Sequence, residues 1–151
     1  MPKAYIASSF KNIHGVRLLS SRMRDMGYVV LDWTEKAFPP EGLKPSERRE
    51  WMDTDHGGEV FAFCARACTQ ADLVVYFGAS GQDAGVEVGM AAASGIPVLG
   101  IRGPLESPGL MLNGAVSFWA ETIGQALGLL ERAAVEGPDA VFRKVPPVRE
   151  C

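Results

Sequence analysis

The chain has 151 residues, 47% hydrophobic and 22% charged, with a formal net charge of −3 at pH 7. Those values fit one globular domain with its own core. They give no basic footprint of the kind that binding a nucleic acid polymer needs, while leaving room for a local basic pocket. No apolar run approaches a membrane span and no stretch has the order of a signal peptide, so a soluble, cytoplasmic protein without a membrane partner is expected.

"KAYIASS" (3–9) is a β-prone run that ends in small polar residues. After it, Val16, Leu18, Leu19, Met23 and Met26 recur at helical spacing over 12–27, with Gly27 as a stop. "YVVLDW" (28–33) reads as a second strand, followed by a polar, Pro-rich loop with one short helix at Ser46 to Asp53. Small and apolar residues from Glu59 to Ala71 suggest a helix, and "DLVVYFG" (72–78) is the expected central strand because it is apolar throughout.

The stretch "SGQDAGVEVGMAAASGIPVLG" (80–100) supplies the next helix and, with "IPVLGI", the next strand. "AVSFWA" (115–120) reads as a fifth strand and "ETIGQALGLLERAAV" (121–135) as a closing helix. Strands alternating with helices predict an α/β fold, a single-domain flavodoxin-like or Rossmann-like three-layer sandwich with a five-stranded parallel sheet. Residues 1–136 form the domain in this reading, and 137–151 an extended C-terminal tail.

Three cysteines, Cys64, Cys68 and Cys151, give neither an even disulfide framework nor a C-x-x-C motif. Cys64 and Cys68 stand four apart, downstream of His56, but two small apolar residues on a buried helix face explain them better than a metal site. No metal is expected.

Glu87 is a lone carboxylate between Gly85 and Gly89 where an apolar helix begins. At a first helical turn its plain reading is favourable contact with the helix dipole. Its neighbours favour a second reading, since the glycines let a ligand approach, and Ser80, Gly81 and Asp83 bring a polar, Gly-rich turn. In a doubly wound sheet the "SSFKN" turn at 8–12 emerges on the same edge. Ser8, Ser9 and Lys11 there offer an anion or sugar-hydroxyl site, with an ordinary N-cap as the alternative. Phe10 and Trp33 offer an aromatic wall for a base, with core packing as the alternative.

The pattern E-x-G-x-A-x-x-x-G-x-P-V-L, filled by Glu87, Gly89, Ala91, Gly95, Pro97, Val98 and Leu99, resembles the nucleoside 2-deoxyribosyltransferase family and the related deoxynucleoside monophosphate N-glycosidases. "AYIASS" is similar to the family's first strand with its tyrosine, and "ADLVVYFGASGQDAGVE" to its acid-led central strand and Gly-x-Glu turn. The likeness runs from Tyr5 to about Ala120.

The resemblance implies that Glu87 attacks the anomeric carbon of a small-molecule nucleoside or nucleotide, without a cofactor. The glycosyl ester so formed would be resolved by water or a second base. Tyr5 would orient Glu87, and Asp72 or Asp83 would handle the leaving base. It also implies a homodimer or higher oligomer with shared active sites, reached by "LMLNGA" (110–115), where Asn113 would contact a sugar or a terminal carboxylate.

Cys64 stands where related glycosidases place another acid. Gly109 stands for a phosphate-contacting serine, and Asn113 for an arginine. A TIR-like NAD glycohydrolase and a non-catalytic nucleotide-binding module are the rival readings. A Rossmann dehydrogenase is disfavoured because "ASSFKN" lacks the G-x-G-x-x-G turn, and a P-loop is missing as well.

Overall fold

The computed structural model describes residues 1–36 and 42–143. Five parallel strands, β1 (Lys3–Ala7), β2 (Val29–Leu31), β3 (Leu73–Phe77), β4 (Val98–Ile101) and β5 (Phe118–Ala120), form one sheet in the order β2-β1-β3-β4-β5. Helices α1 (Ile13–Asp25), α2 (Pro45–Met52), α3 (Asp55–Gln70), α4 (Gln82–Ala93), α5 (Leu110–Ala115), α6 (Ile123–Glu136) and α7 (Pro138–Phe142) connect and flank the strands. The expected three-layer α/β architecture is therefore present, with β3 central. Its Leu73, Val74 and Val75 are fully buried, and each such side chain contributes roughly 1.5–3 kcal/mol.

Strand register sorts the side chains between the two faces. Ile6 pairs with Val75 and Val75 with Leu99; Phe77 pairs with Ile101 and, on the same face, meets Gly15 of α1. Tyr5, Val74 and Val98 share the opposite face, as do Tyr76, Gly100 and Trp119. Helices α3 and α4 cover this second face. A Cβ at Gly100 would lie 2.5 Å from the Trp119 ring, so glycine there is what admits the indole.

Sequence signals set the helix ends. Gly27 takes φ 95° just past α1, as a left-handed stop should. At α6, Thr122 accepts from Gln125 N at 3.1 Å. Helix α2 begins on Pro45, and Glu47 reaches back to Lys44 N at 2.7 Å. The expected tail departs from extended form at its start: residues 138–142 are helical and Phe142 is buried in the core. Pro138 starts that helix directly after Gly137, whose φ of 94° ends α6. Residues 144–151 of the expected tail, Cys151 among them, and residues 37–41 of the Pro-rich loop lie outside the described residues. No described helix is long and apolar enough to cross a membrane.

Candidate active site

From β1 the chain moves through α1 to β2, and from β3 it moves the other way through α4 to β4. The strand order thus reverses between β1 and β3, and the crevice outside their carboxyl ends is where such sheets hold ligands. The turns at 8–12 and 78–81 both emerge there, as the sequence predicts.

Three side chains converge beneath this edge, with the exposed Asp83 near them at its rim. Tyr5 is fully buried in β1, and its hydroxyl lacks a partner of good hydrogen-bond geometry. Glu87 Oε2 in α4 is buried and unpartnered in the same sense. Asp83, one turn before Glu87, and Cys64 of α3 complete the group, because each acts electrostatically on its neighbours. Burial pushes the Glu87 carboxyl up to about 7, Tyr5 holds it down, and the Asp83 charge adds a smaller upward push. Burial, then Glu87, then Cys64 keep the Tyr5 hydroxyl protonated far above the usual phenol range. The Cys64 thiol is likewise raised, first by burial, while Tyr5 opposes the shift.

Helix α4 begins at Gln82, so Glu87 sits in its second turn and the acid in the first turn is Asp83. Dipole stabilisation therefore explains Asp83 and leaves Glu87 without that role. A buried carboxylate without a cation or a set of donors is costly, and such a group in a crevice is characteristic of a functional site. Space around it is open: a Cβ at Gly81, Gly85 or Gly89 would meet nothing within 4 Å.

The serines of the two turns mostly bind each other. Ser8 Oγ donates to Phe77 O at 3.0 Å and lies 3.1 Å from Ser80 Oγ, while Ser9 N donates to Ser80 Oγ at 3.0 Å. The Asn12 amide donates to Ala79 O at 2.9 Å and to Ser8 and Ser80 at longer range. Ser9 Oγ accepts from Lys11 N at 3.3 Å, which is the cap anticipated as the alternative to anion binding. Lys11 itself is exposed.

Phe10 is half exposed and meets Trp33 edge to face, with ring centroids 4.9 Å apart. Trp33 is buried and its indole N–H donates to Ile6 O at 2.8 Å. Phe10 therefore presents the accessible aromatic surface, and Trp33 backs it from the core.

Two expected residues lie elsewhere within the chain. Asp72 immediately precedes β3 at the amino edge of the sheet, where its carboxylate accepts from Lys3 N at 2.7 Å. The length of the strand separates it from the crevice, so Asp72 is corrected to a strand-pairing role. Asn113 accepts from the Trp119 indole at 3.1 Å beside β5, three strands from β1, and so does not join Glu87 in its own chain.

Cys64 is the residue that sequence reading left on an apolar helix face. Its standing where related glycosidases have an acid was the available signal. Among the described residues no cluster of ligating side chains is arranged to hold a metal.

Similar folds occur among solved structures. A 2-deoxyribosyltransferase from the psychrotolerant bacterium Bacillus psychrosaccharolyticus superposes with TM-score 0.60 at 20% identity, over 83% of this chain and 90% of that one. The CMP N-glycosidase BcmB of Clostridium botulinum gives 0.58 at 14% identity, over 85% and 98%. A conserved protein from Enterococcus faecalis V583 gives 0.58 at 16%, over 87% and 98%. No protein-family model matches the sequence, and no curated protein matches it. The chain shares its fold with these proteins, two of which transfer or cleave at glycosidic bonds according to their names.

Proposed function

We propose that this protein cleaves or transfers the N-glycosidic bond of a (2′-deoxy)nucleoside or its 5′-monophosphate through a covalent glycosyl ester on Glu87. The observation that carries the reading is the buried Glu87 carboxylate, unpartnered at Oε2, facing Tyr5 at the switch point of the sheet. Its fold neighbours, a 2-deoxyribosyltransferase and a CMP N-glycosidase, support the same class of chemistry.

In the first step a Glu87 oxygen attacks C1′ and the C1′–N bond breaks, its electron pair leaving with the base. Asp83 is the carboxylate we place beside the departing base, which takes its proton from water there, and protonation makes the base a better leaving group. Tyr5, which lies against Glu87 and holds its pKa down, fixes its direction of attack. Water or the nitrogen of a second base then attacks C1′ and frees the carboxylate, as in retaining glycosidases. Phe10 provides a stacking surface that tolerates different bases. The chemistry needs neither metal nor cofactor.

A second copy of the chain fits this scheme. Leu110 and Met111 of α5 are 85% and 84% exposed, and α5 packs on α4, which carries the exposed Val86 beside Glu87. An apolar face this open next to a site suits an interface, and light scattering showing only monomer would refute the shared-site arrangement. The function itself is tested by chromatography of free base from nucleosides, their 5′-monophosphates and NAD, with and without a second base. Base release lost in Glu87→Gln supports it. Ligand binding without any base release replaces it with a binding module, and release from NAD alone with an NAD glycohydrolase.

A further inference from the structure

We propose that Glu106 is a positioning residue for the Glu87 helix, acting through Tyr76 and Ser80 to clamp the 78–81 turn from which α4 starts. The inference rests on the function proposed above for its kinetic consequence, and on geometry alone for the clamp.

Glu106 lies in the loop after β4, and both of its carboxylate oxygens are engaged. Oε2 accepts from the Tyr76 hydroxyl at 2.5 Å and Oε1 from Gly103 N at 3.2 Å. The same Tyr76 oxygen accepts from Ser80 N at 3.1 Å, so one phenol joins the loop after β4 to the turn after β3. Ser80 Oγ in turn donates to Phe77 O at 2.7 Å and accepts from Ser9 N at 3.0 Å. A continuous hydrogen-bonded path thus runs from Glu106 to the 8–12 turn, through the residue that precedes the Gly81 cap of α4.

The backbone is shaped for this contact. A Cβ at Gly78 would run into the Glu106 carboxylate, and one at Gly103 would lie 2.6 Å from Ala79 N. Only glycine at both places lets the two turns meet. Tyr76 lies on the same sheet face as Tyr5, under α4. Its ring packs edge to face on Trp119 at 5.8 Å, which fixes the direction of its hydroxyl. A displacement of about 1 Å at a reacting group costs on the order of a hundredfold in rate, so a device that sets where α4 begins bears directly on Glu87.

The test compares Glu106→Ala, Glu106→Gln and Tyr76→Phe with the wild type by amide hydrogen exchange and by kcat and KM at a temperature well below each variant's Tm. In Glu106→Ala and Tyr76→Phe the Ser80 and Ser9 amides should exchange about tenfold faster as their opening becomes easier. With the turn no longer fixed, kcat should fall by about tenfold with KM within about twofold. Glu106→Gln keeps an oxygen that accepts from Tyr76, and should recover most of both. Unchanged protection at Ser80 in Glu106→Ala overturns the clamp, as does a kcat equal to wild type once the folded fraction is matched. If the wild type releases no base at all, the proposed function fails while the exchange result still decides the clamp.

Discussion

Replacing Glu87 with glutamine should stabilise the protein, and the gain should grow as pH rises from about 4.5 and be complete above about 7. The carboxyl titrates near 4.5 when solvated and near 7 in the folded chain, with burial the main cause. A folded-state pKa raised in this way means that the native state binds the proton more tightly than the unfolded chain. The associated stability is present below about 4.5 and is lost as pH rises through about 7. At about 1.4 kcal/mol per pKa unit, the ionised carboxylate costs the fold about 3 kcal/mol above that window. This is a large share of the roughly 5–15 kcal/mol that holds a domain together. Glutamine keeps the shape and removes the charge, so calorimetry at about pH 8.5 should show Tm higher by about 6–12 °C for a chain of this size. Near pH 4.5 the two proteins should melt within about 2 °C of one another on the same scale. An equal difference at both pH values would refute the assignment of a strained, ionisable carboxylate at this position.

The rate of base release should rise about tenfold between roughly pH 6 and 8 as Glu87 ionises. Tyr5→Phe removes the group that lowers its pKa and should move that rise to higher pH, whereas Asp83→Asn should move it lower. Initial rates across a buffer series decide this, and shifts in the same direction would contradict the electrostatic account. Asp72→Asn, at the far edge of the sheet, should leave kcat within about twofold of wild type; a loss of a hundredfold would return Asp72 to the site. Trp33→Phe leaves Ile6 O without its indole donor and should cost about 1–3 kcal/mol in urea unfolding. No change there would mean that the bond contributes little.

The sheet was legible because its strands are short apolar runs between Gly and Asp punctuation, and β3, buried at every position but Phe77, reads as the least polar of them. Glu87 was legible for a related reason: a carboxylate flanked by Gly85 and Gly89 breaks the apolar pattern of its helix. Its placement in the second turn was not, since a helix start read from residue types alone is uncertain by a few positions. Asp72 was misplaced because an acid ahead of a strand looks much the same whether it points to the site or to the opposite edge.

The Tyr76–Glu106 contact joins residues 30 apart in sequence through two glycine turns, and composition carries no trace of that pairing. Cys64 escaped because a thiol among alanines resembles core, and only the approach of α3 to Tyr5 distinguishes it. The serines at 8, 9 and 80 were found as a cluster, but their use on one another depends on the two turns meeting in space.

The most direct test of the account is the mass of the protein after reaction with 2′-fluoroarabino nucleosides, whose fluorine slows the oxocarbenium-like second step so that an ester accumulates. The account predicts a gain of one fluoropentosyl group per chain, mapped to the peptide that contains Glu87, with one equivalent of base released and neither event in Glu87→Gln. Base release with the sugar attached elsewhere, or unaffected by Glu87→Gln, would contradict it.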